Sequence, residues 1–464
     1  MRTNLVRRTL AALGLTIAVV GTASAEAPRL ADLAGTWQMR GYGKVLDISA
    51  QRLVIYDITD VSCAREKELP VGDATAEYDR IALTPTGFSA FAPGGITRYA
   101  FERLKALPDR CRGGDEQPLR DPELNFSVLW HAFRENYAFF DLRDVRWDDI
   151  YARFRPKVLT ASTEEQLFDV LSQVLAALND GHVGLRSDKR EFSSGGHGEI
   201  FDLWSSANPI KSLEEAEGPY HSAIDSFVVD GVLKGNAKHG ANGILTWGWA
   251  APRVGYINVA RMYMEPIENG IELPEQIELV DQAMQRALQD LAKARALIID
   301  ARFNPGGHDA IALSIVGHLT TEKRLAFTKK AVTSDGYTDT QEVHISPRGK
   351  RQYTGPVYYL QSGNTVSAAE IFSLAMMSLP NVTRVGTPTY GVLSDVLVKK
   401  LPNGWSLGLS NELYVARDGN LYEGKGIPPH VAVPAKTARN FRERVQLDID
   451  TALALIRKAD SAPR

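Results

Sequence analysis

Residues 296–307 read Ala296-Leu297-Ile298-Ile299-Asp300-Ala301-Arg302-Phe303-Asn304-Pro305-Gly306-Gly307. Four apolar residues run into Asp300 without alternation, the pattern of a strand buried on both faces in a parallel sheet. A Pro-Gly-Gly turn follows, and Asp309 to Leu319 then reads as a helix. The same rhythm repeats outward. Val254-Gly255-Tyr256-Ile257 reads as a strand and Leu279 to Ala294 as an amphipathic helix before this unit. Val357-Tyr358-Tyr359-Leu360 reads as a strand and Ala368 to Leu379 as a helix after it. Alternating strand and helix predicts a layered α/β core with right-handed crossovers over residues 251–440. A C-terminal helix and tail fill 441–464.

Upstream the pattern changes. Residues 187–250 are rich in Gly, Ser and charge, and read as an irregular insertion without the signature of a PDZ module. Residues 122–186 have helix period: Phe126, Leu129, Trp130, Phe133 and Tyr137 fall on one face. Ser162-Thr163-Glu164-Glu165 is a capping box ahead of a second apolar helix, Leu167 to Leu178. Residues 108–121 carry charge, Gly and Pro and read as a linker. Residues 26–107 alternate short β-type runs with glycine turns and predict a small all-β domain, a barrel or sandwich.

The chain begins as an address. Arg2, Arg7 and Arg8 precede the apolar run Leu10 to Val20, and Ala23-Ser24-Ala25 is a cleavage pattern, so residues 1–25 read as a signal peptide. The run is short for a bilayer span, and a retained anchor is the other reading. Cleavage near Ala25 puts the protein in the periplasm or outside the cell, without stable membrane insertion. It also places Cys63 and Cys111, the only two cysteines, in an oxidising space where they can pair or stay as buried thiols. Two cysteines exclude a Cys-rich zinc module. The full chain balances 53 basic against 56 acidic residues, which gives no footprint for nucleic acid.

Three places carry residues that the fold alone does not require. Gly306 and Gly307 let a backbone approach a ligand and leave N–H groups facing an anion, or simply make a turn. Ser367, in Gly363-Asn364-Thr365-Val366-Ser367-Ala368-Ala369-Glu370, stands at a helix N-terminus, where it serves as a nucleophile or as a plain cap with Glu370. His182, in Leu178-Asn179-Asp180-Gly181-His182, ends a helix as a general base or as a partner of the helix dipole.

Together these segments resemble the S41 serine peptidases, the superfamily of tail-specific, C-terminal processing and tricorn-type proteases. Asp300 to Gly307 resembles that family's Asp-x-Arg-x-Asn-x-Gly-Gly segment, and Ser367-Ala368-Ala369-Glu370 its Ser-Ala-x-Glu segment. Val385-Gly386-Thr387-Pro388-Thr389-Tyr390-Gly391 and Gly424-Lys425-Gly426-Ile427-Pro428 resemble its two later segments. The resemblance implies an α/β protease core of the ClpP/crotonase-like type with a helical lead-in. Val392 follows Gly391, so the lysine of a Ser–Lys dyad is absent there. Leu178 to His182 is similar to the tricorn-like branch, where a histidine serves instead, although Gly181 stands in place of a serine.

The resemblance implies Ser367 as nucleophile, His182 as base, and the amides of Ala368 and Gly306 or Gly307 as the oxyanion hole. Glu423 is the candidate third residue, with a surface carboxylate near Lys425 as its other reading. His308 is a lesser rival base, and Lys399 or Lys400 a displaced dyad lysine. The expected activity is peptide hydrolysis on a peptide or protein substrate, with no metal or cofactor. A decayed site that binds peptide or ligand, and a serine esterase or amidase, are the alternatives.

Overall fold

The computed structural model describes residues 28–113, 120–161, 163–210, 212–264, 270–434 and 438–461. The signal segment 1–25, part of the linker and Ser162 of the capping box lie outside the described residues.

The first unit is a β-meander. Its strands are β1 (Gly35–Met39), β2 (Lys44–Ile48), β3 (Arg52–Ile58), β4 (Cys63–Pro70), β5 (Asp79–Thr84), β6 (Gly87–Phe91) and β7 (Tyr99–Leu104). They form one antiparallel sheet in the order β4-β3-β2-β1-β7-β6-β5. The unit is all-β as expected; of the two forms anticipated, β4 and β5 do not pair to close a barrel, and there is one sheet where a sandwich has two. Its own aromatic residues pack on one another, Trp37 edge-on to Phe88 and Phe88 stacked on Phe101. Trp37, Leu46, Phe88 and Phe101 share one core with Phe126, Leu129 and Phe133 of the next segment. Cys63 at the edge of β4 is disulfide-bonded to Cys111, with Cα atoms 5.1 Å apart.

Three helices follow: α1 (Pro122–Asn136), α2 (Trp147–Leu159) and α3 (Glu164–Ala176). α1 starts where sequence rules place it, with Pro122 at its first position and the Asp121 carboxylate accepting the Leu124 N–H at 3.0 Å. α3 starts at Thr163, whose hydroxyl accepts the Gln166 N–H at 3.2 Å.

The stretch 187–250 departs from expectation, for it is largely regular. After β8 (Gly184–Arg186) and β9 (Glu191–Ser193) come α4 (Glu199–Ala207), α5 (Leu213–Ser226) and a π-helical turn at Phe227–Val232. β10 (Lys238–Gly240) and β11 (Leu245–Ala251) then join the central sheet. The helices were hard to read because α4 buries only Ile200 and Trp204 and α5 contains Gly218 and Pro219, so neither shows a broad apolar stripe.

The core contains β12 (Val254–Val259), α6 (Leu273–Asp290), β13 (Ala296–Asp300), α7 (Asp309–Gly317), β14 (Arg324–Thr333), β15 (Gly336–Tyr337) and β16 (Gln341–Ile345). It continues with β17 (Val357–Gln361), α8 (Ala368–Met377), β18 (Val382–Gly386), β19 (Val396–Lys400), β20 (Ser406–Ser410), β21 (Glu412–Ala416), β22 (Val431–Ala432) and α9 (Phe441–Ser461). The central sheet runs β10-β11-β12-β13-β17-β18-β22, parallel from β12 onward. β13 is buried at all five positions, as its unbroken apolar run requires. β13 and β17 are neighbours, so the loops leaving their C-terminal ends meet, which is where open α/β sheets place ligands. No helix among the described residues is long and apolar enough to cross a membrane.

Buried charges join the layers. The fully buried Arg302 bonds Asp300 Oδ2 at 2.6 Å and Asp448 Oδ2 of α9 at 2.8 Å. Lys399 pairs with Asp57 and donates to the carbonyls of Gly43 (2.8 Å) and Ile58 (3.0 Å) in the β-meander. Lys329 reaches Thr97 Oγ1 at 2.6 Å and pairs with Glu412 at 2.7 Å.

Candidate active site

Ser367 stands at the N-terminus of α8 with φ 58° and ψ −125°. Serine rarely adopts such a positive φ, and holding it there costs roughly 1–3 kcal/mol. The surroundings over-determine it. The Ser367 side chain makes no cap hydrogen bond. Instead the loop is held by its neighbours: Val366 N–H donates to the Asn304 carbonyl (3.0 Å), Ser362 Oγ to the Arg302 carbonyl (2.6 Å) and Thr365 Oγ1 to the Ala301 carbonyl (2.9 Å). Asp300 to Asn304 is therefore a template against which the serine loop is cast.

Glu370 does more than complete a capping box. Its carboxylate accepts the Ser367 N–H (3.3 Å), Thr389 Oγ1 (2.6 Å), Gly391 N–H (2.8 Å) and Val392 N–H (2.7 Å). Burial pushes its pKa up to about 7, against these four donors, which favour the charged form. It ties the start of α8 to residues 389–392.

Gly306 faces the serine. A Cβ at 306 would lie 2.7 Å from Ser367 Cβ and 3.1 Å from Ala368 N, and its φ is +105°. The two glycines differ in one respect. Gly306 N–H already donates to Asn304 Oδ1 at 2.9 Å. The N–H groups of Gly307 and Ala368 have no acceptor among the described residues. Of the three expected oxyanion donors, Gly307 and Ala368 are thus available and Gly306 is the spacer that lets them approach.

His182 is placed by Asp180. Asp180 Oδ1 accepts the His182 backbone N–H at 2.9 Å, while its Oδ2 takes the hydroxyl of Tyr137 at 2.9 Å. Gly181, between them, has no room for a side chain: a Cβ would lie 2.9 Å from the Tyr390 ring and 3.2 Å from Val392 Cγ1. Tyr390 fills the space in which the tricorn-like pattern has a serine. Burial lowers the imidazole pKa, opposed by Asp180, Asp395 and a hydrogen bond with the Ser394 backbone. Gly181 and Val366 line one cavity of about 200 Å³ together with Phe201, Asn364 and Tyr390, so the histidine and serine loops border the same space.

Glu423 is 1% exposed, which removes its reading as a surface carboxylate beside Lys425. Among the described residues it makes no direct hydrogen bond to His182, and His182 Nδ1 and Glu423 Oε1 both lack a hydrogen-bond partner there. Glu423 Oε2 instead accepts the N–H groups of Leu393 (2.8 Å) and Ser394 (3.2 Å), and Arg143 lies 3.6 Å from Oε1. Burial raises its pKa, and nearby Asp180 adds to the effect. It holds the segment whose Ser394 backbone meets the imidazole.

The lysine rivals sit elsewhere, while His308 stays next to the glycine pair. His308 caps α7 beside Gly307, and burial lowers its pKa. Lys399 is committed to the β-meander, and Lys400 Nζ donates to Ser406 Oγ at 2.7 Å. Tyr137, Arg143 and Ser394 carried no motif of their own; only the tertiary fold brings them to this site.

Residues 253–433 match the Peptidase family S41 model, and residues 118–176 match the Tricorn protease C1 domain. The chain is similar to the carboxy-terminal processing protease CtpA of Bacillus subtilis, 28% identical over 182 residues, 38% of this chain and 37% of that protein. It is also similar to the carboxy-terminal-processing protease of Bartonella bacilliformis, 25% identical over 165 residues, 34% of this chain. The chain spans only 37% of the length of each of these curated relatives. Among solved structures it resembles a candidate peptidase from Parabacteroides merdae, with a TM-score of 0.59, 25% identity and coverage of 75% of this chain and 100% of that one. Mature CPAF shares the fold at a TM-score of 0.53 and 15% identity, over 74% of this chain and 98% of that one. Over residues 253–433 this chain is thus similar to peptidase family S41, with a segment similar to the tricorn C1 domain ahead of it.

Proposed function

We propose that the chain hydrolyses peptide bonds through an acyl-enzyme, with Ser367 as nucleophile. The observation that carries this is Ser367, held at φ 58° against Gly306, with the amide of Ala368 and that of Gly307, next in the chain to Gly306, both unclaimed among the described residues. A serine hydroxyl needs a base to attack. His182, kept neutral by burial, takes the proton as Oγ bonds to the substrate carbonyl carbon. His182 Nδ1 has no hydrogen-bond partner among the described residues, so the imidazole keeps a nitrogen free for a proton. The oxyanion rests on the Gly307 and Ala368 amides at the positive end of α8. As the C–N bond breaks, His182 returns the proton to the leaving amine. Water then attacks the ester by the same route, and Ser367 is restored. Glu423 and Glu370 are positioning residues. They act through segments 393–394 and 389–392, and neither touches the reacting atoms.

The Cys63–Cys111 bond supports the export reading, since disulfides persist in oxidising compartments. A serine-directed phosphonate tests the mechanism. It is expected to label the full chain but not Ser367→Ala, and a peptide library is expected to be cut only by the former. Labelling without peptide cleavage, combined with turnover of simple esters, would replace the peptidase with an esterase. Absence of both would leave a binding protein.

A further inference from the structure

Asp395 stands where three parts of the molecule meet. It follows Ser394, whose backbone meets the His182 imidazole, and it precedes β19. Its side chain is exposed, accepts only the Val396 N–H beside it (2.8 Å), and has no ion-pair partner among the described residues. It lines a cleft of about 270 Å³ whose opposite wall is the β-meander, with Tyr42, Tyr78 and Tyr99. The other charges in that cleft are already matched. Lys44 pairs with Glu66, and Glu77 with Lys67. Asp395 is the one uncompensated charge among its lining residues. Its field reaches both His182 and His308 on the catalytic side, and Tyr42 and Tyr99 across the cleft.

The floor of the cleft suits an extended chain. β19 is an edge of its sheet, in the order β19-β20-β8-β9. The Lys400 N–H points away from β20 to Asp57 Oδ2, so Val398, two residues earlier, presents its backbone on the same outer edge. Val396 and Val398 are 37% and 51% exposed, which is unusual for a valine pair beside a cleft. Val396 N–H is taken by Asp395 and Lys400 N–H by Asp57, so the edge leaves Val398 to offer main-chain hydrogen bonds to a peptide, and side-chain pockets give the specificity. Here the pocket has one carboxylate and a tyrosine wall, a combination that attracts a cation by charge and by its ring faces.

We propose that Asp395 and the tyrosine wall of the β-meander form a substrate subsite for a cationic side chain of an extended peptide. The β-meander is then part of the substrate cleft. This rests on the chain being a peptidase, and the experiment separates the two. Matched peptides carrying Lys, norleucine or Glu at each position flanking the scissile bond are compared in the full chain, Asp395→Asn and Asp395→Lys. At one position the kcat/KM ratio of Lys to Glu is expected to be about 10–100-fold, to fall toward 1 in Asp395→Asn and to invert in Asp395→Lys. Tyr99→Leu is expected to lower the rate on the lysine peptide more than on the norleucine peptide. An unchanged ratio in Asp395→Asn, with turnover intact, overturns the subsite while leaving the peptidase standing. If no peptide is cut and the phosphonate labels nothing, the peptidase fails. Calorimetric binding of the lysine and glutamate peptides then still decides the subsite, and equal affinities overturn it.

Discussion

Gly306→Ala tests the geometry of the oxyanion turn more sharply than removal of the nucleophile. The added Cβ would sit 2.7 Å from Ser367 Cβ and 2.9 Å from the Val366 carbonyl. Ordinary carbon contacts lie near 3.5–4.0 Å, so the serine must retreat by roughly 1 Å. The φ of +105° adds a backbone penalty of about 1–3 kcal/mol. A misplacement of this size costs about 10²-fold in rate, and disturbing an oxyanion donor about 10²–10³-fold. We therefore expect kcat/KM to fall by at least about 10²-fold, with a parallel loss in the rate of phosphonate labelling. The control is Gly336→Ala, in the tight β14–β15 turn. Its φ of +133° carries a similar penalty, but a Cβ there meets nothing within 4 Å. Both variants are expected to melt a few degrees lower, and only Gly306→Ala to lose activity. Near-normal turnover in Gly306→Ala, with the Gly336→Ala melting shift present, would refute the placement of the oxyanion hole.

The pH profile provides a second check. Because burial holds His182 below 6.5, the rate is expected to rise with pH through a midpoint under that value. Asp395→Asn removes a charge that lifts it, so the midpoint is expected to move lower still. The depressed native pKa also means that the unfolded chain binds the proton first, so this group costs stability as pH falls below 6.5. Lys399→Ala strands the buried Asp57 and is expected to cost about 3–5 kcal/mol in denaturant titration, while the folded fraction still labels with phosphonate. A displaced Ser–Lys dyad predicts the reverse. Removing the disulfide with Cys63→Ser and Cys111→Ser opens a loop of 48 residues, which the chain-entropy model values at about 4 kcal/mol. Melting is expected to fall and labelling at low temperature to survive, because the bond lies away from the serine loop.

How much of this was legible in sequence follows from what each feature depends on. β13 appears residue for residue where an unbroken apolar run placed it, and α7 ends two residues short of the predicted Leu319. Such elements are set by local burial pattern. α4 escaped because it buries only Ile200 and Trp204, and α5 because Gly218 and Pro219 interrupt the stretch that carries its buried Ala216, Tyr220 and Ile224. The order of the seven strands was out of reach for another reason: β1 pairs with β7, a contact between residues far apart in the chain. Within the site, Ser367, His182 and the glycine pair stood in motifs. The positive φ of Ser367 did not show, because serine does not encode it. Nor did the division of labour between Gly306 and Gly307, which turns on one hydrogen bond from Asn304. Glu423 could be nominated, but its route through Leu393 and Ser394 is a property of the folded chain alone.

The two buried lysines that clasp the β-meander have an evolutionary consequence. Lys399 and Lys329 belong to the catalytic half, yet Lys399 is satisfied by Asp57, Gly43 and Ile58 of the meander, and Lys329, paired with Glu412 in its own half, takes its third partner from Thr97. A chain that shed residues 28–107 by recombination would leave Lys399 without its counter-charge and Lys329 without one hydroxyl, on a core face now open to water. A chain that acquired a foreign β-module would need matching acceptors at both points. The junction near residues 108–121 marks a seam in the polypeptide but not a place where the protein divides into heritable parts. The two halves are expected to melt together in calorimetry and to vary together among descendants.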